Sequence, residues 1–484
     1  MKKLFTLTVL VVACISFFGT SLYAQQSYGL DLTVRTTGKI MNSPVLPGSE
    51  LTIKSVLCDA SARKGFNYIL SAETPEGEQL AFDLSKVREM PIVCENPTKD
   101  EYWFYRSIQH SLPSLSHMAN AYAIRTKAES EANEYVNNLR KQGLVLEDPM
   151  LTSYINSLLV KINPVQRLDF FKYNMKVVIV KSSELNAGIY PNGMLLINAA
   201  MLANLRTEDE LVAVLCHEAN HFICNHYLEN LAKIQRRQNA GAVGSALLGV
   251  AAGIFLGSAS VGLATASLGN EVATDINAVI SAVGLAFDQT QEKESDRAAV
   301  ELLPILGYDE NAMATSIKRI GDYYLEEGNL EAYYSSGNHP KIEDRIAATG
   351  IPYDRTDATF EKKMASCISY LAQVKYEQGR YTEALALVTR NIENGIGRGI
   401  DYYLRGECLL NSFDSEETNT EAVEMLQKAK ESYYDGISAI KALTVAQIRT
   451  GQVEEARNLL TELKESAGCS KDDRIWADNM LMNL

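Results

Sequence analysis

The residues best placed to do chemistry are two histidines and a glutamate in the segment His217-Glu218-Ala219-Asn220-His221. Residues four apart lie on one face of an α-helix, one turn apart, so His217 and His221 can bind the same metal ion. This H-E-x-x-H spacing is typical of zinc sites in which the glutamate accepts a proton from water. The segment therefore predicts one Zn²⁺ per chain, bound by both histidines, with Glu218 as the general base.

The residues before and within this segment predict a helix that is anchored in a core. Thr207 and Glu210 have the spacing of a capping box, in which Thr207 is the N-cap. Such a helix can bury one side and present the histidines on the other. The apolar stripe at helical spacing consists of Leu211, Val214, Leu215 and Phe222.

A zinc site also needs a third protein ligand and an open position for water. A second predicted helix starts near Gln291, and it carries Glu292 and Asp296 four residues apart on one face. Glu292 can bind the metal while Asp296 accepts a hydrogen bond from a ligand histidine. An exposed, charged helix face explains the same residues, so the spacing alone leaves both interpretations open. His226 is predicted on the opposite face from His217, in a structural role.

Several segments, in the same order along the chain, resemble the HtpX and CAAX-prenyl-protease family of zinc metallopeptidases, which are gluzincins. The resemblance covers roughly residues 115–350, with Ser295 where the family has Ala and Asn338 where it has Thr. It implies an α+β metalloendopeptidase core in which Glu292 is the third zinc ligand. The matching segments are Asn186–Gly193, Glu208–Leu211, the H-E-x-x-H segment with His226 after it, Glu292–Arg297, Gly307–Asp309 and Asn338–Arg345.

Two later residues enter the candidate site through this resemblance. It implies that His339 lies near the metal, where it can stabilise the oxyanion of the reaction or block the zinc in a resting form. Arg345 would hold the substrate or the local loop. From the residues alone, His339-Pro340 is a turn that leads into a helix.

The N-terminus has the pattern of an export signal. Lys2 and Lys3 precede an apolar run, and Ala24 ends a segment of the kind that signal peptidases cleave, so residues 1–24 are predicted to be a signal peptide. The interpretation places the protein in the periplasm or cell envelope. Lipidation at Cys14 and an uncleaved membrane anchor are the alternatives.

Composition and charge limit the partners. The formal net charge of −14 argues against nucleic acid as a partner. In an oxidising compartment Cys58 and Cys94 could form a disulfide, and the spacing does not decide whether they do.

Alternating and helical patterns predict an α+β fold in three parts. Residues 25–105 are predicted to form a small β-rich domain with strands at 30–34, 51–56, 67–70 and 80–82, and residues 106–352 to form the metallopeptidase domain. In the latter, Met194–Ile197 is predicted to be an edge strand that pairs with extended substrate. The apolar Gly/Ala-rich insertion 241–270 is predicted to gate the cleft or contact the membrane surface, with a membrane span and a buried helical hairpin as the alternatives.

Residues 360–484 are predicted to form tetratricopeptide-like helical repeats. Ala384, Ala422 and Ala456 occupy similar segments and lie 38 and 34 residues apart, close to the repeat length of about 34. An ordinary helical bundle is the alternative. Such repeats bind extended peptides or protein partners in a concave groove.

The combination of an export signal, a zinc peptidase core and this tail resembles the BepA-type envelope peptidases. The resemblance implies protein or peptide substrates, among them outer-membrane proteins or their assembly machinery, and a role in quality control of misfolded or stalled envelope proteins. The alternative is a chaperone-like or assembly factor that binds proteins through its repeats while its protease site is latent.

Overall fold

The computed structural model describes residues 25–40, 43–59, 66–118, 120–169, 174–239, 287–328, 330, 340–432, 434, 436–466 and 468–484. The predicted signal peptide 1–24, the insertion 241–270 and His339 lie outside the described residues. The chain divides into two compact units. The first contains the described parts of Met1–Glu131, Asn163–Asn174 and His221–Leu247, and the second those of Ala132–Ile162, Met175–Asn220 and Leu248–Leu484.

The first unit is built on an antiparallel sheet of five strands, counted among the described residues, in the order β4-β3-β2-β1-β5. Each of the four strands predicted from alternation lies within a strand of the structure, whereas β5 was not predicted. In β2 the buried positions are Leu51 and Ile53 and then Val56 and Cys58, so the alternation of a half-buried strand is interrupted once, where the pairing with β3 shifts register. The strands are β1 (Gln25–Thr36), β2 (Glu50–Asp59), β3 (Asn67–Glu73), β4 (Gln79–Asp83) and β5 (Ile92–Val93).

The register of this sheet keeps Cys58 and Cys94 apart. Cys58 pairs with Gln26 at one end of β1, whereas Val93, the residue before Cys94, pairs with Arg35 near the other end. Nine residues along a strand span roughly 30 Å, far beyond the reach of a disulfide. Both thiols are free, so the disulfide considered from the sequence does not form in this structure.

Helices complete the first unit. Helices α1 and α2 follow the sheet, helix α3 begins in this unit and ends in the second, and α7 follows the segment that carries the histidines. Their bounds are α1 (Lys99–Arg106), α2 (Leu112–Ser116), α3 (Ala121–Lys141) and α7 (His226–Asn239).

The second unit contains a small mixed sheet whose described strands are ordered β6-β8-β7. Strand β6 (Lys176–Val180) runs parallel to β8 (Met194–Asn198), and β7 (Ala187–Ile189) runs antiparallel to it. Strand β8 is buried along most of its length, as its continuous apolar run requires. The prediction that Met194–Ile197 is an edge strand is therefore wrong. It forms the centre of the sheet, and β7 lies at an edge.

Besides α7, six described helices between residues 149 and 349 complete the predicted α+β core. Two of them, α6 and α8, carry the H-E-x-x-H segment and the predicted acidic ligand. Their bounds are α4 (Pro149–Ile162), α5 (Ala199–Asn204), α6 (Glu208–Ile223), α8 (Gln289–Ile305), α9 (Ala312–Glu326) and α10 (Ile342–Thr349).

The C-terminal region is helical, as predicted. Ala384, Ala422 and Ala456 are each fully buried, because small side chains let consecutive helices pack closely. The assignment of these helices to the tetratricopeptide class stays a prediction. They are α11 (Ala358–Lys363), α12 (Ala365–Glu377), α13 (Tyr381–Glu393), α14 (Gly399–Ser412), α15 (Glu416–Glu431), α16 (Gly436–Arg449), α17 (Val453–Glu465) and α18 (Lys471–Asn483).

Across the described ranges, no helix combines the length and apolar character that crossing a membrane requires.

Candidate metal centre

Helix α6 starts with a variant of the predicted capping box. Thr207 Oγ1 accepts a hydrogen bond from the backbone N–H of Glu210 at 3.2 Å, as predicted. The Glu210 carboxylate instead accepts from the backbone N–H of Arg206, one residue earlier than a capping box requires, at 3.0 Å. Glu210 is fully buried and is also bound by Arg319 of α9 at 2.7 Å. The start of α6 is thus fixed by contacts beyond its own first turn.

Three buried side chains offer ligand atoms for one metal ion. The ligand atoms of His217, His221 and Glu292 all lie within 4.8 Å of one another. His217 Nε2 and Glu292 Oε2 are 3.8 Å apart, and two ligands of a tetrahedral zinc lie roughly 3.4 Å apart, given bonds of about 2.1 Å. Two imidazoles and one carboxylate are a donor set of catalytic zinc sites, so these residues fit Zn²⁺.

Helix α8 brings the carboxylates to the histidine helix. Asp288 caps its N-terminus by accepting hydrogen bonds from the backbone N–H groups of Thr290 and Gln291. Glu292 and Asp296 then lie one turn apart, and both are 3% exposed. The alternative of an exposed, charged helix face is therefore wrong for these two residues.

A direct side-chain hydrogen bond joins the two helices. Asn220 of α6 donates through Nδ2 to Ser295 Oγ of α8 at 3.0 Å, and both residues are fully buried. Ser295 is one of the two residues that depart from the family pattern, which has Ala at this position. The hydroxyl gives the buried Asn220 amide a partner that an alanine side chain lacks.

Asp296 and Arg345 form a buried chain of contacts that ends on His217. Asp296 Oδ1 lies 2.9 Å from His217 Nδ1, whereas Nε2 is the ring nitrogen that lies near Glu292. Arg345 of α10 donates through Nε to Asp296 Oδ2 at 2.8 Å and through a terminal nitrogen to Oδ1 at 2.7 Å. This two-point contact fixes the plane of the carboxylate and thereby the orientation of the imidazole.

The charges along this chain of contacts support one another. Burial alone would raise the pKa of Asp296, but the charge and hydrogen bonds of Arg345, with a further contribution from His217, hold that pKa well below its usual range. Burial opposes protonation of His217, yet the hydrogen bond and charge of Asp296 produce a net upward shift of its pKa. Asp296 is therefore an anion that can accept the Nδ1 proton of His217.

The structure corrects the position predicted for His226. Helix α6 ends at Ile223, and Asn225 adopts a left-handed conformation with φ 58°, so His226 begins a new helix rather than continuing the old one. His226 Nδ1 lies 3.0 Å from His221 Nδ1. It is therefore the partner that orients His221, much as Asp296 orients His217.

Polar contacts fix the break between α6 and α7. Asn225 donates to Ser111 Oγ at 2.7 Å, and its side-chain oxygen accepts from the buried Arg125 at 3.2 Å. An asparagine tolerates the left-handed conformation better than most residues. The Asn225-His226 pair is the signal in the sequence that indicates this break.

Glu218 is buried beside the ligand residues. It is 6% exposed, and its Oε2 atom has no hydrogen-bond partner among the described residues. Burial raises the pKa of Glu218 to about 7; the charge of Glu292 adds to this shift and that of His217 opposes it. A carboxylate with a free oxygen and a pKa near neutrality has the properties of a general base.

Comparison with known proteins agrees with this geometry. Residues 148–350 match the model of peptidase family M48. The chain is 28% identical over 246 residues to the beta-barrel assembly-enhancing protease of Escherichia coli, a match that covers 49% of this chain and 46% of that protein. It is 25% identical over 238 residues to the putative beta-barrel assembly-enhancing protease of Vibrio cholerae, with 49% and 46% covered.

A further relative is the mitochondrial metalloendopeptidase OMA1 of Schizosaccharomyces pombe, which is 25% identical over 197 residues, or 40% of this chain and 51% of that protein. The chain thus spans about half the length of the curated relatives it matches. The family resemblance drawn from the motifs is confirmed, and all of the described candidate site residues lie within the matched region.

Proposed function

Because residues 148–350 match the model of peptidase family M48, we propose that this chain is a zinc-dependent metalloendopeptidase of the cell envelope that degrades misfolded or stalled proteins. The observation that carries the proposal is the buried group of His217, His221 and Glu292, with Glu218 beside it. We propose Zn²⁺, one per chain, as the metal. Bound there, zinc would polarise the scissile carbonyl and acidify a water molecule.

Glu218 performs the proton transfers in this proposal. Its buried, unpartnered oxygen accepts a proton from the attacking water, and the resulting acid donates that proton to the leaving amine. The pKa near 7 suits both steps, since a group with a pKa close to the working pH can accept and release a proton. His226 and Asp296 keep the two ligand imidazoles oriented.

Arg345 and His339 take different roles. Arg345 acts through Asp296, so we assign it as a positioning residue rather than as a group that holds substrate. His339 lies outside the described residues, and its proposed role near the metal, on the oxyanion or as a block of the resting site, rests on the resemblance. A latent enzyme would be activated by replacement of His339.

The substrates we propose are extended segments of unfolded proteins. We propose that such a segment pairs with strand β7, which lies at the edge of the described part of the small sheet. The relatives named as beta-barrel assembly-enhancing proteases suggest outer-membrane proteins or their assembly machinery as partners. We further propose that residues 1–24 direct export and that the insertion 241–270 contacts the membrane surface.

A second candidate function is that of a chaperone-like assembly factor with a latent protease site. The consecutive helices of the C-terminal region favour it, since such arrays bind proteins without cleaving them. The two functions differ in what they require of Glu218. A peptidase loses its cellular function in Glu218→Gln, whereas a chaperone-like factor retains it.

Degradation of an unfolded model protein by purified Gln25–Leu484 distinguishes the two functions. The wild type, Glu218→Gln and His339→Ala are compared, and the zinc content of each is measured. Cleavage by the wild type that is lost in Glu218→Gln, with zinc retained, is the expected result. Cleavage only by His339→Ala would mean a latent peptidase. Zinc bound without cleavage by any of the three proteins would favour the chaperone-like function, and a protein without zinc would contradict the metal assignment.

A further inference from the structure

Helix α9 (Ala312–Glu326) and its C-cap residue Glu327 make contacts with three separate parts of the second unit. Ser316, Arg319, Tyr323 and Glu327 follow one another at intervals of three or four residues, so they share one face of the helix. No catalytic role in the proposed function uses these residues. Their partners are the start of the histidine helix, the segment before the edge strand and the C-terminal helices.

The first contact is with the start of α6. Arg319 binds the Glu210 carboxylate through Nε at 2.7 Å and through a terminal nitrogen at 3.1 Å. Ser316 Oγ donates to the backbone carbonyl of Glu210 at 3.1 Å. Because Glu210 is fully buried, this two-residue clamp fixes the helix two turns before His217.

The second contact is with the chain that leads into β7. Tyr323, which is buried, donates its hydroxyl to the backbone carbonyl of Ser183 at 2.5 Å. Tyr324 donates to the carbonyl of Leu185 at 3.3 Å. The two carbonyls lie four and two residues before β7, which begins at Ala187. These hydroxyls therefore hold the entry to β7, which among the described strands has a neighbour on one side only.

The third contact is an ionic bridge to the C-terminal helices. Glu327 accepts hydrogen bonds from Lys375 of α12 and from Arg380, which precedes α13. Lys375 is 4% exposed, and its ammonium also lies 5.4 Å from the centre of the Tyr323 ring. A charge buried to this extent depends on its partners, so the position of Glu327 and that of the C-terminal helices are coupled.

We propose that Tyr323 and Tyr324 are positioning residues for the substrate-binding edge β7, and that the Glu327 bridge makes the placement of this edge depend on the C-terminal helices. The inference rests on the proposed function for the identity of the strand that binds substrate. A protein bound to the C-terminal helices would then change the affinity for the segment to be cleaved. The zinc site itself would stay intact, because Arg319 and Ser316 hold α6 independently of Glu327.

The test uses Tyr323→Phe and Glu327→Gln in the full chain, with Glu326→Gln as the matched control. Glu326 is adjacent in sequence and exposed, so its replacement changes the same charge without breaking the bridge. We expect KM for an unfolded fluorogenic casein to rise about three- to tenfold in both test variants, as loss of one hydrogen bond produces. We expect kcat and zinc content to match the control.

Hydrogen exchange of the β7 amides, measured without substrate, gives a second readout. Faster exchange in both test variants than in Glu326→Gln supports the coupling whether or not the protein cleaves casein, so it separates this inference from the proposed function. Exchange and KM equal to the control would overturn the inference. A fall in kcat or zinc at unchanged KM would also overturn it, since the contacts would then act on the metal site.

Discussion

Replacement of Asp296 by Asn should weaken zinc binding roughly 10- to 100-fold, which is the usual effect of losing the partner of a ligand histidine. In the structure Asp296 lies 2.9 Å from His217 Nδ1 and is 3% exposed. An asparagine has nearly the same shape, so the geometry is retained while the negative charge is lost. The imidazole then becomes a weaker electron donor, and its orientation is less strictly fixed.

The same substitution should also destabilise the metal-free protein. Arg345 is 6% exposed and binds Asp296 at two points, so the substitution removes the negative charge from this buried ion pair. Breaking a buried ion pair in this way costs on the order of 3 kcal/mol. The double replacement Asp296→Asn with Arg345→Met should recover part of this loss, because it also removes the buried positive charge of Arg345.

Competition with a zinc chelator of known affinity measures the dissociation constant, and urea unfolding of the metal-free protein measures stability. Glu301→Gln is the matched control, because Glu301 lies on the same helix and its side chain is 40% exposed. The control should change neither quantity appreciably. An Asp296→Asn protein whose zinc affinity equals that of the control would refute the reasoning about His217.

Three further predictions concern stability. Ser295→Ala removes one hydrogen bond of the fully buried Asn220 amide, so the free energy of unfolding in urea should fall by about 1 kcal/mol, and no change would contradict the buried hydrogen bond. Burial raises the pKa of Glu184 to about 7 from 4.5. Between these pH values the folded state keeps a proton that the unfolded state releases, so the free energy of unfolding falls as pH rises from about 4.5 to 7. Glu184→Gln should flatten this part of the plot of unfolding free energy against pH. Gly406→Ala would place a Cβ 2.4 Å from Leu426 and should cost about 1–3 kcal/mol, whereas Gly436→Ala, with open space around it, should be nearly neutral in the same thermal unfolding assay.

Local patterns in the sequence predict the site well because its chemistry is encoded at helical spacing. His217 and His221, and likewise Glu292 and Asp296, are one turn apart, and the apolar stripes of their helices specify which faces are buried. The N-terminal strands are predictable for a similar reason, since one face of each packs in a core. The contact between α6 and α8 joins residues that are far apart in the sequence, so only the family resemblance indicated it.

The incorrect predictions involve geometry that does not follow from periodicity. His226 was placed on the far side of a continuous helix, but one residue with positive φ, Asn225, ends that helix and turns His226 back to His221. The order of strands in the small sheet depends on which strand the chain returns to, so alternation could not place β8 at the centre. The contacts of Arg345 also become apparent only when α10 lies against α8.

The most direct test of the central claim is to titrate the metal-free protein with zinc while following both bound zinc and the cleavage of unfolded casein. The account predicts that wild-type activity rises with added zinc and stops increasing at one zinc per chain. Glu218→Gln should bind the same single zinc and remain inactive. Cleavage by the metal-free protein, or full activity in zinc-loaded Glu218→Gln, would contradict the claim that these residues form a zinc peptidase site.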